Sequence, residues 1–346
     1  MSSELERYSR QIRFSGLSEE GQRKLLNSRV LICGCGALGT VLAETLTRAG
    51  VGYLRIADRD FVELSNLQRQ VLFDEEDIAS HQPKAIAAAE KLRRINSEIT
   101  IDPHVVDIDH TTIRPLMEGI DLVLDGTDNF EIRFLINDAC LETGTPWVYA
   151  GVIGSHGQTM PIFPHESACL RCLIGEIPDA GSAETCETAG VLGQAVNVVS
   201  SLSAVTALKL LSGQKELVPL KLMIVDVWEG SLRSMDVSSL RDQSSCPACQ
   251  GGERLWLSGE RGSQSTVLCG RNSVQVAPPH KGELNLPELA ERLRTAGEVS
   301  LNRYLLRLTL RDEEFEITVF RDGRAIIRGT DELATARTLY SRYIGS

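Results

Sequence analysis

Short apolar runs alternate with stretches of helical periodicity along the first half of the chain. Arg29–Cys33 (RVLIC) is apolar and ends at glycines, and Ala37–Ala49 repeats its apolar positions at helical spacing until Gly50 supplies a stop. Tyr53–Ala57 (YLRIA) predicts a second strand that ends at Asp58. A helix is expected over 84–96, a strand over 100–106, and another over 122–124 that ends at Asp125. Further strands are expected at 147–152 and 158–163, then a cysteine-bearing loop, an apolar helix over 191–211 and a strand over 221–227. Alternating strands and helices imply an α/β fold, a Rossmann-like and mostly parallel sheet with helices on both faces.

Past residue 250 the composition shifts to Gly, Glu, Arg and Ser (QGGERLWLSGERGSQS), the composition of a linker. The expected division is a domain over 1–250 and a small α+β domain over 251–346. The small domain should contain a helix over 286–295, paired strands within 304–328 with a turn at Asp322-Gly323, and a final helix over 331–343. It carries no catalytic signature.

Composition narrows the class. A chain of 346 residues can bury a full core and still form a second domain, and 42% hydrophobic with 24% charged residues is ordinary for a globular protein. Forty-seven acidic against 36 basic residues give a net charge of -11 with no segregated basic cluster, which argues against nucleic acid as a partner. The start, MSSELERYSRQIR, lacks an apolar segment and so reads as neither a signal nor a transit peptide, which makes a cytoplasmic location the expectation. Gln194, Asn197, several serines and Lys209 interrupt the stretch 191–211; a bilayer would penalise them, so a core or dimer helix is expected and no membrane partner.

Gly34-Cys35-Gly36-Ala37-Leu38-Gly39 fits G-x-G-x-x-G between a strand and a helix, with Asp58 at the end of the next strand. Gly34, Gly36 and Gly39 allow a tight turn and close backbone approach to phosphates, the helix start supplies N–H donors, and Asp58 suits ribose hydroxyls. An NAD-dependent dehydrogenase would carry the same fingerprint. Asn66-Leu67-Gln68-Arg69-Gln70 and Gln82-Pro83-Lys84 add an amide and two cations beyond the second strand. Hydride transfer has no use for them, whereas charge building on transferring phosphates does. Leu124-Asp125-Gly126-Thr127-Asp128-Asn129 puts two carboxylates at another strand end, one of which suits magnesium.

Nine cysteines without an export signal point to metal ligands, reactive thiols or packing rather than disulfides. Cys169-Leu170-Arg171-Cys172 and Cys246-Pro247-Ala248-Cys249 are C-x-x-C pairs that suit tetrahedral zinc, with a redox dithiol as the alternative. Cys33, Cys35 and Cys140 sit where a small apolar residue packs. Cys186 lies in a polar loop before the apolar helix, a context in which a thiol can be reactive, although Glu184 and Glu187 oppose its ionisation.

Arg7-Tyr8-Ser9-Arg10-Gln11, GCGALG, Asp58, NLQRQ, QPK, DGTDN and the two C-x-x-C pairs, in this order, resemble the ThiF/MoeB/HesA family, bacterial relatives of ubiquitin-activating enzymes. The resemblance runs from Arg7 to Cys249. It implies a homodimer that uses ATP and magnesium to adenylate the C-terminal Gly-Gly carboxylate of a ubiquitin-like sulfur-carrier protein in thiamine, molybdopterin or related sulfur transfer. It further implies that Gly36 and Gly39 line the phosphates, that Asp58 binds the ribose and that Asn66, Arg69 and Lys84 follow the phosphate chain. Asp128 would bind magnesium, Arg10 would cross to the neighbouring subunit's ATP, and Cys186 would be the family's conditional thiol. No rhodanese active-site loop is present at the C-terminus, so sulfur delivery is expected from another protein, such as a cysteine desulfurase. Two other readings are a dehydrogenase, which leaves Arg69, Lys84 and the cysteine pairs unexplained, and a non-catalytic adaptor that docks a carrier.

Overall fold

The computed structural model describes residues 3–176, 189–243, 245–261, 265–268, 272–276, 283–311 and 314–345. The chain divides into two compact units, Met1–Arg261 and Gly262–Ser346.

The first unit is built on an eight-stranded sheet. Its strands are β1 (Arg29–Cys33), β2 (Tyr53–Ala57), β3 (Thr100–His104), β4 (Leu122–Asp125), β5 (Trp147–Ile153), β6 (His156–Ile162), β7 (Lys221–Asp226) and β8 (Ser231–Asp236), in the spatial order β3-β2-β1-β4-β5-β6-β7-β8. The first five are parallel, and β6, β7 and β8 continue the sheet antiparallel. Both faces are covered, which explains why β1 reads as one apolar run rather than an alternation. Val30 and Ile32 join Leu54, Ile56, Leu122 and Leu124 on the face packed by the helices Ala37–Ala49 and Lys84–Ile95, while Leu31, Cys33 and Val123 pack on the other face with Phe134, Ala139 and Cys140 of the helix Phe130–Thr143.

The sheet's order reverses between β1 and β4. In register, Cys33 pairs with both Ala57 and Asp125, so Gly34, Asp58 and Gly126 leave the sheet together at its carboxyl edge. Such a reversal opens a crevice there, the usual ligand site of open α/β sheets.

The helix Gly193–Leu211 is long and apolar enough to cross a membrane by length and composition alone. One face packs on Leu38 and Val41 through Val196 and Val199, and Ser203 Oγ lies 2.8 Å from Thr159 Oγ1 on β6. The buried serines Ser200 and Ser203 are thus satisfied inside the unit, as a core helix requires, whereas Gln194 and Asn197 are exposed. Val198 and Val205 remain exposed on its other face.

Two parts differ from the sequence expectation. Residues 251–261, expected as linker, pack into the first unit: Trp256 and Leu257 are buried, Trp256 stacks at 4.5 Å on Phe134, and Asp138 accepts a hydrogen bond from the Trp256 N–H at 3.0 Å. The surrounding Gly, Glu, Arg and Ser hide this anchor from a compositional reading. β8 was not expected either, because Ser231–Asp236 is almost entirely exposed and is held by backbone pairing to β7 rather than by an apolar face.

The second unit is a six-stranded antiparallel sheet in the order β11-β12-β13-β14-β10-β9, with β9 (Ser265–Leu268), β10 (Ser273–Val276), β11 (Gly297–Leu301), β12 (Leu305–Leu310), β13 (Glu316–Phe320) and β14 (Ala325–Arg328). The helices Leu286–Leu293 and Leu333–Tyr343 supply Leu289, Leu293, Ala336 and Leu339 to its core. β13 and β14 are joined at Asp322-Gly323 as expected, Gly323 taking φ 83°. The strands β9, β10 and β11 went unread because each is only four or five residues long, too short for its pattern to stand out.

Candidate functional site

The glycines of the loop do different jobs. Gly34 takes φ +88°, and a Cβ there would lie 2.8 Å from the Gly126 carbonyl oxygen; a Cβ at Gly39 would lie 2.0 Å from the Gly34 carbonyl oxygen. Gly34, Gly39 and Gly126 are therefore demanded by the way β1, the helix Ala37–Ala49 and the turn after β4 pack together. Gly36 is not. Its nearest would-be neighbours are 3.8 and 3.9 Å away, so the protein itself leaves room for a side chain. What Gly36 keeps clear is the space at the helix start, where backbone donors and the helix dipole favour an anion.

Asp58 is buried, and both its oxygens accept backbone hydrogen bonds, from Cys35 N–H at 2.6 Å and Asp60 N–H at 2.7 Å. It ties the glycine loop to the end of β2. Burial drives its carboxyl above the usual range despite the opposing charge of Lys84. Lys84 starts its helix almost fully buried; a bridge between Phe61 and Pro83 brings it beside Asp60, with Nζ 3.5 Å from Asp60 Oδ2. Asn66 is buried and uses Oδ1 to accept the Glu63 N–H at 3.1 Å, capping the turn on which Arg69 sits. Arg69 is half-buried, with Nη1 donating to the Ser65 carbonyl at 2.8 Å. The Gln68-Arg69 backbone lies against Gly193, at the start of the apolar helix.

The two carboxylates after β4 separate cleanly. Asp125 is fully buried and accepts from Thr127 N–H, Thr127 Oγ1, Arg133 Nε and Ala150 N–H, at 2.9, 2.7, 3.0 and 3.3 Å. Arg133 also donates to the Thr127 carbonyl at 2.7 Å, and Asn129 caps the next helix through the Glu131 N–H at 2.7 Å. Between these fixed points Asp128 is exposed, with no hydrogen-bond or ion-pair partner among the described residues. Asp125 has no capacity left for an ion; Asp128 has all of its own.

The sequence reading did not single out Arg59, which is paired with Asp107 at 2.9 Å and within electrostatic reach of Asp58, Asp60 and Asp128. Nor did it single out Arg133. Neither had a visible signal, since each is marked by its tertiary partners.

Arg10 lies apart from this group. Its short helix is held at the far end of Ala37–Ala49, where Gln11 Nε2 donates to the Ala49 carbonyl at 2.9 Å and Asn96 Nδ2 donates to the Tyr8 hydroxyl at 2.9 Å. At about 1.5 Å per residue, that helix separates Arg10 from the glycine loop by roughly 18 Å. Arg10 is exposed and has no partner among the described residues.

The second constellation is the cysteine group. Cys169, Cys172, Cys246 and Cys249 bring their Sγ atoms within 4.8 Å of one another. Adjacent pairs lie at 3.9 Å (Cys169–Cys172), 3.7 Å (Cys169–Cys246) and 3.5 Å (Cys172–Cys249). Four thiolates about 2.3 Å from a tetrahedral zinc would sit about 3.8 Å apart, so the group fits that ion. Asn137 supports it by accepting the Leu170 N–H at 2.9 Å. Cys33, Cys35 and Cys140 are buried free thiols, as expected for packing residues, and burial pushes all three well up. Cys186 lies outside the described residues.

The ThiF family pattern matches residues 8–248. The chain belongs to the ThiF family. This ThiF-family chain is 42% identical over 340 residues to the sulfur carrier protein ThiS adenylyltransferase of Bacillus subtilis (strain 168), covering 98% of this chain and 99% of that one. The protein of the same name from Escherichia coli (strain K12) is 42% identical over 254 residues, covering 71% and 95%. The SAMP-activating enzyme E1 of Haloferax volcanii is 36% identical over 250 residues, covering 72% and 90%. Among solved structures, Escherichia coli MccB with succinimide has a similar fold, with a TM-score of 0.58 and 25% identity over 67% of this chain and 71% of that one. The expectation of an adenylyltransferase is met, and with it the use of ATP that such an enzyme implies. Hydride transfer and a purely docking role fall away.

Proposed function

We propose that this ThiF-family enzyme transfers the adenylyl group of ATP to the C-terminal glycine carboxylate of a ubiquitin-like sulfur carrier of the ThiS type, releasing pyrophosphate, within thiamine-type sulfur transfer. The observation that carries the reading is the open space over Gly36 at the β1–β4 reversal, with Lys84 held beside the neighbouring strand end and Asp128 exposed, without a hydrogen-bond or ion-pair partner among the described residues. The ThiS type is favoured because both relatives that are 42% identical, the Bacillus and the Escherichia coli proteins, are ThiS adenylyltransferases, whereas the SAMP-activating enzyme is 36% identical.

In the proposed chemistry a carrier carboxylate oxygen attacks the α-phosphorus in line, and an O–P bond forms as the bond to pyrophosphate breaks. No general base is needed, because a C-terminal carboxylate with a usual pKa of about 3.5 is ionised at neutral pH. Lys84, Arg69 and the start of the Ala37–Ala49 helix stabilise the charge that develops on the phosphoryl oxygens. Asp58 holds the glycine loop and presents its remaining lone pairs toward the ribose, and Asn66 holds Arg69's turn. Asp128 would hold magnesium, which when bound neutralises polyphosphate charge.

Arg10 sits beside the far end of the Ala37–Ala49 helix, too distant to reach its own nucleotide, which favours a homodimer in which it serves the partner's site. The four-cysteine group would hold structural zinc and fasten residues 246–257 to the middle of the unit. Cys186 is proposed as a thiol that acts after adenylation, with sulfur supplied by another protein. Carrier-dependent exchange of pyrophosphate into ATP tests the reading. It should require a carrier with an intact Gly-Gly end, and exchange that ignores the carrier, or none with any such carrier, would overturn it.

A further inference from the structure

Gln70 closes the turn Asn66-Leu67-Gln68-Arg69-Gln70, and its backbone is fixed: its N–H donates to the Asn66 carbonyl at 3.0 Å and its carbonyl accepts from Phe73 N–H at 3.1 Å. The residue is 4% exposed. Oε1 is enclosed and has no hydrogen-bond partner, and no hydrogen bond engages the carboxamide among the described residues. Enclosing an unpaired polar atom is unfavourable, and an apolar side chain of similar volume would fill the position without that penalty. A buried amide kept on such terms needs an explanation outside the protein's own packing.

Its orientation supplies one. Nε2 lies 3.9 Å from the point where a Cβ on Gly36 would stand, so the donor end faces the space that Gly36 keeps open. That space is the start of the 13-residue helix Ala37–Ala49, which has no side-chain cap. A helix start attracts an anion, and here a buried, unpartnered donor group is aimed at the same point. Turning the amide over would enclose both N–H donors and present an oxygen to the anion, which is unfavourable on both counts.

We propose that Gln70 is a nucleotide-binding residue whose Nε2 donates a hydrogen bond to a phosphoryl oxygen of the nucleoside triphosphate seated over Gly36. The inference rests on the ATP reading above. Gln70 acts beside Arg69 by direction rather than charge. A neutral donor fixes where the phosphate sits without adding another cation to the Lys84, Arg59 and Arg69 group.

The test compares wild type, Gln70→Leu and Gln70→Glu in the full-length protein. It reads calorimetric binding of a non-hydrolysable ATP analogue, KM for ATP and kcat in pyrophosphate exchange, and the nucleotide-free melting temperature. Gln70→Leu should weaken binding and raise KM by about tenfold or more, the loss expected for a hydrogen bond to a charged group. Its nucleotide-free melting temperature should be unchanged or higher, because the unpaired amide is gone. Gln70→Glu should bind more weakly still at pH 8 and recover part of the loss at pH 6, as its carboxyl, held up by the neighbouring phosphates, takes a proton.

Wild-type affinity in Gln70→Leu, or a melting temperature that falls in step with its affinity, would overturn the inference and leave the ATP reading standing. Failure of the wild type to bind the analogue would overturn both.

Discussion

The crevice at the β1–β4 reversal and the cysteine group are both built from polar residues in the same unit, yet they treat those residues in opposite ways. At the cysteine group the Sγ atoms converge within 4.8 Å, and three of the four residues are buried. Everything points inward at one place of a size that suits a small ion. At the crevice the polar groups divide: Asp125 is consumed by the protein and Asp58 is spent in part on the glycine loop, while Asp128 and the Gln70 Nε2 are left facing the open space. Convergence marks a centre that is part of the fold, and partition marks a site prepared for a visitor. Counting partners separates scaffold from site where residue type does not.

The comparison can be broken first at the cysteines. If the group holds zinc that belongs to the fold, Cys169→Ser or Cys249→Ser should abolish stoichiometric zinc and cost several kcal/mol of stability, read as a large drop in melting temperature, since the binding energy of structural zinc is folding energy on the order of 10 kcal/mol. Purified wild-type protein that is fully folded with no metal would contradict it.

The glycine loop offers the next contrast, within a single motif. Gly39→Ala forces a Cβ to within 2.0 Å of the Gly34 carbonyl oxygen and should destabilise by on the order of 4 kcal/mol or more by denaturant melts. Gly36→Ala meets nothing in the protein, so it should keep its melting temperature within about 2 °C, corresponding to less than about 1 kcal/mol in a unit this size. It should nevertheless lose nucleotide affinity, as measured by calorimetry. Equal effects from the two substitutions would erase the distinction between structural and ligand-facing glycines.

Arg69→Ala should leave fold and zinc content intact but lower kcat/KM for pyrophosphate exchange by about a hundredfold, the scale of removing one preorganised charge partner from a transition state. A small loss confined to KM would assign Arg69 to ground-state binding alone.

The smallest expected effect concerns Asp138, which braces the cysteine side. Burial pushes its carboxyl up to about 6 from 3.8, against the lowering by the Trp256 and Leu257 N–H groups. The folded protein therefore takes up a proton between about pH 6 and pH 4 that the unfolded chain does not, and this group's contribution to stability rises as pH falls through that window. Asp138→Asn should flatten that part of the profile and raise the melting temperature at pH 7.5 by a few degrees, about 2–4 °C per kcal/mol for a unit of this size. A profile unchanged by the substitution would show that Asp138 stays ionised in the fold.

Much of the framework was legible because strand burial on both faces leaves short, mostly apolar runs: β1, β4 and, interrupted only by Arg55, β2, together with the strand-end residues Gly34, Asp58 and Asp125, all follow from it. The cysteine pairs were legible from spacing alone. What sequence could not supply was the partner count. Nothing in Asp-Gly-Thr-Asp says that Ala150 N–H and Arg133 saturate the first carboxylate and leave the second without a hydrogen bond among the described residues. Gln70 was visible only as the last letter of a motif, and its unpaired oxygen exists only once Gly36 and the turn are brought together. Trp256 and Leu257 were hidden by hydrophilic neighbours, and β8 by its own exposure, because backbone pairing to β7 leaves no apolar pattern.

The central claim is that the crevice binds ATP with its cation at Asp128 and charges a sulfur carrier. The most direct measurement is pyrophosphate exchange into ATP with and without a Gly-Gly carrier, in wild type and in Asp128→Ala. The account predicts exchange that depends on the carrier in wild type and falls by about a hundredfold or more in Asp128→Ala, with melting temperature and zinc content unchanged. Undiminished exchange in Asp128→Ala, or wild-type exchange indifferent to the carrier, would contradict it.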